Sequence, residues 1–244
     1  MEEKSFKKYI ILWLSQGISG LGSSMTGFAL VLWAYGQSHS AMSVSLMSFC
    51  NYVPYVFLSL FVGGFIDRHK KKTIMLVSDS IAAAGSLAVL VFLLMGSLEV
   101  WNIYAINAVV GITNAFQQPA SAVATGRLVP KEKISNVSGM NSFSNNLIVV
   151  FSPMLAAFLF AAGGLPLILL IDLASFAFAF CVLLFCITIP EQAQDKAYSS
   201  PFAGIAQGFD FLKKEKGILY IMLTMALINF CSRLTYENIL SPMI

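Results

Sequence analysis

Three sets of residues in this 244-residue chain have chemistry to offer, and each is set against a long apolar background. The first is the run from Gly63 to Lys72, in which Gly63, Asp67, Arg68, Lys71 and Lys72 are the candidate gating residues. A glycine removes the side chain where one helix must approach another. A carboxylate at a helix end meets a neighbouring helix's positive N-terminus or a basic side chain, and Arg68 offers a planar fork of donors. Together these groups can form a breakable latch. Lys70, Lys71 and Lys72 sit where anionic headgroups attract basic residues, and a topology anchor alone is the other reading of these lysines.

The second set is uncharged and spaced at helical intervals. Asn107, Gly111, Asn114 and Gln118 share one helix face, as do Gln16, Gly20, Ser23 and Gly27, and further stripes run through Ser48, Asn51, Tyr52 and Tyr55 and through Asn141, Asn145 and Ser152. An amide facing lipid is costly, so such stripes point to a bundle interior or a wet cavity. Gln16, Asn51, Asn107, Asn114, Gln118 and Asn145 are the substrate-cavity candidates, and the Phe- and Met-rich remainder suits bulky amphipathic compounds. Ordinary helix packing with interhelical hydrogen bonds is the competing reading. The third set is the pair of intramembrane acids, Asp79 and Asp172. Each is a proton-coupling candidate, and each also lies near a helix start, where the dipole favours an anion. Arg233 and Glu237, four apart, can neutralise one another. Pro54, Pro119 and Pro153 interrupt helices, as kinks that let a bundle rock or as tolerated breaks.

The elements that position these residues are membrane spans. With 57% hydrophobic and 11% charged residues and a mean hydropathy of +0.77, the chain lies far from soluble composition, where about 25% of residues are charged. Apolar spans are expected near residues 9–35, 44–66, 73–96, 101–125, 137–162, 165–189 and 218–240, which makes seven helices in an all-α membrane protein. Fourteen of the 15 basic residues fall before the first span or after the second, fourth and sixth, and the other connectors carry none. The positive-inside rule then places the N-terminus in the cytoplasm and the C-terminus outside. The net charge of +3 says nothing about nucleic acid. The N-terminal run is too long for a signal-peptide core and is expected to be retained. The connector 190–217 begins a helix at Ser200 and Pro201, with Phe202, Ile205, Phe209 and Leu212 at helical spacing. It is an amphipathic surface helix or a loosely ordered linker.

At this point the residues resemble a known family. Gly63, Asp67 and Arg68 with trailing Lys71 and Lys72 resemble the signature loop between the second and third helices of the major facilitator superfamily, in its macrolide-efflux and multidrug-exporter branch. Phe116 to Ala120, Leu128 to Glu132 and Phe211 to Gly217 support the resemblance. Lys70 stands where that loop usually has glycine, and the glycine-proline motif of the fifth helix is reduced to Ser152-Pro153. The resemblance implies a six-helix N-terminal bundle over 1–189, built as a 3+3 inverted repeat that would superpose Asp79 and Asp172. It also implies a cytoplasmic linker over 190–217, and over 218–244 a seventh helix that starts a C-terminal half not contained in this chain. For Asp67 and Arg68 it implies a gating role.

The expected function is a multi-pass plasma-membrane exporter of small amphipathic, drug- or macrolide-like compounds, working by alternating access with proton antiport. Its partners are membrane lipid, a small-molecule substrate and protons, with no nucleic acid. The alternative is a truncated, non-transporting membrane protein that serves as an interaction partner or is an inactive remnant. An enzyme is not expected, nor is a cofactor or metal. His39 and His69 fall on opposite faces, and Cys50, Cys181, Cys186 and Cys231 read as small core residues.

Overall fold

The computed structural model describes residues 2–189 and 213–235, and within them the chain is helical throughout. It divides into two compact units, Met1–Ala197 and Tyr198–Ile244.

The first unit contains α1 (Glu2–Ser38), α2 (Ala41–Arg68), α3 (Lys71–Leu94), α4 (Val100–Leu128), a 3-10 turn at Lys131–Lys133 and α5 (Ile134–Cys181), which ends in a π-helical turn at Val182–Cys186. Phe6–Ser38, Ala41–Arg68, Lys71–Leu94 and Ile134–Cys186 are each long and apolar enough to cross a membrane. α4 is 29 residues long but is not among them, because its own amides dilute its apolar content. It packs against both α2 and α3.

α5 is two arms. Gly164 leaves helical geometry at φ 67° and ψ −168°, a region essentially reserved for glycine. Pro166 follows in the first turn of the second arm, where a missing N–H costs nothing. The contacts show that the chain doubles back here. Ascending the first arm, Asn141 accepts from Tyr9, and Ser144 and Ile148 lie against Gly17 and Gly20 of α1. On the second arm, Asp172 meets Ser23, while Ile187 has come back to the level of Lys72 at the start of α3. The expected boundary at Gly163 and Gly164 is therefore where the turn occurs. Within the described helices this is the one departure from helical φ/ψ; Pro54 and Pro119 sit inside α2 and α4 and Pro153 inside α5 with no comparable break.

The charged connectors gather at one end of the unit. Lys133 Nζ lies 4.2 Å over the Phe6 ring, and Lys72 reaches the end of the second α5 arm. A core cluster at that end joins Tyr9, Leu12, Ile66, Ile74, Leu128 and Ile187. A second cluster towards the other end joins Met25, Ala34, Met47, Leu90, Ile103 and Leu169. The polar side chains lie between the two.

The second unit shows α6 (Lys216–Thr235), which matches the start of the expected span at 218. Residues 236–240 of that span, Glu237, the Arg233 side chain, Cys231 and the expected linker helix from Ser200 to Leu212 lie outside what is described. The cysteines correct an expectation: Cys50 is half-buried, but Cys181 and Cys186 are exposed on the bundle's outer surface rather than in its core.

Candidate functional site

Between the two core clusters lies a cavity of about 990 Å³, bordered by α1, α2, α3, α4 and both arms of α5. All six expected cavity residues, Gln16, Asn51, Asn107, Asn114, Gln118 and Asn145, border it, as do Asp79 and Asp172. The helical spacing explains why: residues four and seven apart on one helix share a face.

The amides tie helices together as well as lining space. Asn51 Nδ2 donates to the Asn107 carbonyl at 3.2 Å, and Tyr55 Oη donates to Gln118 Oε1 at 3.0 Å. The α2–α4 approach rests on Gly111, since a Cβ there would collide with the Asn51 carbonyl oxygen. Packing and solvation, offered as rival readings of these stripes, are thus carried by the same residues.

The two carboxylates have different settings. Asp79 Oδ2 accepts from Gln16 Nε2 at 3.4 Å, and Gln16 Oε1 accepts from Gln117 Nε2 at 3.3 Å. This amide relay crosses from α4 through α1 to α3. Asp172 is 4% exposed; its Oδ1 accepts from Ser23 Oγ at 3.0 Å and its Oδ2 from Ser86 Oγ at 2.8 Å. The expectation that helix dipoles hold these acids needs correction. α3 begins at Lys71 and the second α5 arm after Gly164, so both acids lie in the third turn, and the dipole's effect fades within the first. Side-chain donors from other helices hold them instead.

The candidate gating residues lie outside the cavity wall, at the charged end. Only His69 and Lys70 separate α2 from α3, so the charge knot is two helix ends and a two-residue link. Asp67 is exposed at the negative end of α2, a position the dipole disfavours, and its carbonyl accepts from Lys71 Nζ at 3.1 Å. Arg68, partly buried, lies where the dipole favours a cation. Two expectations change. Gly63 is exposed and a Cβ there would meet nothing within 4 Å, so it permits no close helix approach among the described residues. Lys71 is 5% exposed, which removes it from a headgroup-facing surface. Lys72 has a structural partner: its Nζ donates to the Leu184 and Ile187 carbonyls, each at 2.8 Å, and so caps the π-helical turn.

Gln117, Ser86 and Thr26 were not among the expected site residues. Ser86 lies seven residues after Asp79, and Thr26 three after Ser23. Helical spacing marks those faces, but only the fold reveals which face meets an acid.

A family model described as Major Facilitator Superfamily matches residues 12–243. The chain belongs to the Major Facilitator Superfamily. Similar proteins include macrolide efflux protein A of Streptococcus pyogenes, 28% identical over 91% of this chain and 55% of that protein. The macrolide efflux protein A of Enterococcus faecalis is 30% identical over 78% of this chain and 59% of its own length. The enterobactin exporter EntS of Salmonella typhi is 25% identical over 94% and 55%. The chain spans a little over half the length of these relatives. As a Major Facilitator Superfamily member with several helices long and apolar enough to cross a membrane, it is a multi-pass membrane protein, as the signature loop implied.

Proposed function

We propose that this chain builds one half of an exporter of small amphipathic compounds, which works in the plasma membrane by alternating access and is driven by proton antiport. The observation that carries the reading is the cavity: five helices surround about 990 Å³ with amides, hydroxyls and two carboxylates set among apolar walls. That volume is in the range of drug-sized sites. The names of the macrolide and enterobactin relatives support an export direction for bulky substrates.

Internal pairing supports a 3+3 inverted repeat. α1 packs mainly on α5 and α2 on α4, and these two pairs exchange when the first three helices are superposed on the second three. The gathered basic end supports a cytoplasmic N-terminus. In this scheme Asp67 and Arg68 latch the inward end, and Asp79 takes the driving proton, with Gln16 and Gln117 as its relay to the cavity wall.

Efflux tests the proposal. The full-length protein, expressed in a drug-sensitive host, should lower accumulation of a fluorescent macrolide. Collapsing the proton gradient should abolish the difference, and Asp79→Asn or Asp67→Ala should abolish or strongly reduce it. Accumulation unchanged by the wild-type protein across a macrolide and siderophore panel counts against export. Export indifferent to the proton gradient removes the proton.

A further inference from the structure

Asp172 is the only buried carboxylate among the described residues, and the side chains that donate to it are neutral. Ser23 and Ser86 donate to its two oxygens from α1 and α3, and Thr26 lies about one turn along α1 from Ser23. Along α1 and α3 the nearest basic residues before these serines are far off. Lys8 on α1 precedes Ser23 by about 22 Å of helix and Lys72 on α3 precedes Ser86 by about 21 Å, at 1.5 Å per residue. An ionised carboxylate in a bilayer interior is costly without a compensating charge. A cation held in place meets that need.

We propose that Asp172, Ser23, Thr26 and Ser86 bind one sodium ion. The proposal goes beyond the export reading and does not depend on it. A second, independent observation points to an occupant. Thr26 is 5% exposed, borders the cavity, and its Oγ1 has no hydrogen-bond partner among the described residues. A buried hydroxyl without a partner is uncommon and calls for an explanation. An ion seated against the carboxylate supplies it, because each hydroxyl that donates to Asp172 keeps lone pairs free for a cation.

The donor set selects the ion. All four groups are hard oxygens, which suit alkali and alkaline-earth cations and not the soft or imidazole-seeking metals. A single negative charge among neutral hydroxyls balances one monovalent ion, whereas a divalent ion would leave a buried positive charge. Close packing favours the smaller alkali ion. Gly22 brings α1 against this turn so tightly that a Cβ there would lie 3.2 Å from Asp172 Oδ1 and collide with Ser175 Oγ. The cage draws on α1, α3 and the second α5 arm, so occupancy would clamp three helices together.

Thermal unfolding of the purified full-length protein tests this without any transport assay, in NaCl, KCl or choline chloride at equal ionic strength and fixed pH. Sodium should raise the unfolding temperature above choline in a saturable way, and potassium should not at the same concentration. Radioactive sodium should bind at one ion per chain. Ser86→Ala should shift the sodium dependence roughly tenfold or more to higher concentration. Thr26→Val should leave stability in choline unchanged or improved, since the lost hydroxyl had no partner, yet weaken the sodium response. Asp172→Asn should abolish the response, while Asp79→Asn keeps it. Equal unfolding temperatures in all three salts overturn the proposal, as does a sodium effect that survives both Ser86→Ala and Thr26→Val. Those two variants decide the matter even if Asp172→Asn does not fold.

Discussion

Substituting Gly111 by alanine should be among the most damaging single-methyl additions in the bundle. The added Cβ would meet three backbone atoms of Asn51 on α2: its carbonyl oxygen, its carbonyl carbon at 2.9 Å and its Cα at 3.2 Å. Backbone cannot swing aside as a flexible side chain can. Ordinary van der Waals contact begins near 3.4 Å, so clearing the carbonyl oxygen would force α2 to retreat by more than about one ångström. That retreat also stretches the 3.2 Å hydrogen bond from Asn51 to the Asn107 carbonyl beyond a useful length. Overpacking at such a site costs about 3 kcal/mol and the lost interhelical hydrogen bond about 0.6 kcal/mol. Alanine's better helix propensity returns about 1 kcal/mol. The net expectation is a loss of about 2–3 kcal/mol. Gly139 on α5 is the control, because a Cβ there meets nothing within 4 Å. Gly139→Ala should be neutral or stabilising by up to about 1 kcal/mol. Equilibrium unfolding of the full-length protein in mixed micelles titrated with SDS measures both. If the two variants unfold at the same SDS fraction, the α2–α4 contact is not the close approach described.

Three further perturbations probe other joints. Gly164→Ala places a side chain at φ 67° and should cost about 1–3 kcal/mol in the same unfolding assay; wild-type stability would mean that the turn between the α5 arms relaxes elsewhere. Lys72→Met should uncap Leu184 and Ile187 at a cost of about 1–2 kcal/mol and speed amide hydrogen exchange across residues 182–189. Lys72→Arg should restore protection, and unchanged exchange in Lys72→Met would refute the cap. Gln16→Leu removes both links of the Asp79 relay, and at about 0.6 kcal/mol per interhelical bond it should cost only about 1 kcal/mol. Efflux should fall far more steeply than stability, and a proportional fall in both would make Gln16 a packing residue alone.

Residue order by itself determined the all-helical membrane class and the charged end. Apolar runs near 20 residues and basic residues confined to alternate connectors follow from what lipid and water tolerate, and neither depends on partners distant in the chain. The Gly163-Gly164 break was legible for the same reason, since backbone freedom is local. Spacing also marked the polar faces of α1, α2 and α4, and the signature loop marked the family.

Only the tertiary structure decided what those faces meet. Helical periodicity shows that Ser23 and Thr26 share a face, but not that Asp172, about 150 residues later, returns to that level once the chain has reversed at Gly164. It left Gly63 and Gly111 equivalent, because a glycine's role depends on which backbone lies opposite: nothing within 4 Å for one, the Asn51 carbonyl for the other. It gave Lys71 and Lys72 one meaning, whereas the fold buries the first and sets the second on the carbonyls of a helix end. Side-chain chemistry is written in the chain; its partners are chosen by packing between segments that the sequence holds far apart.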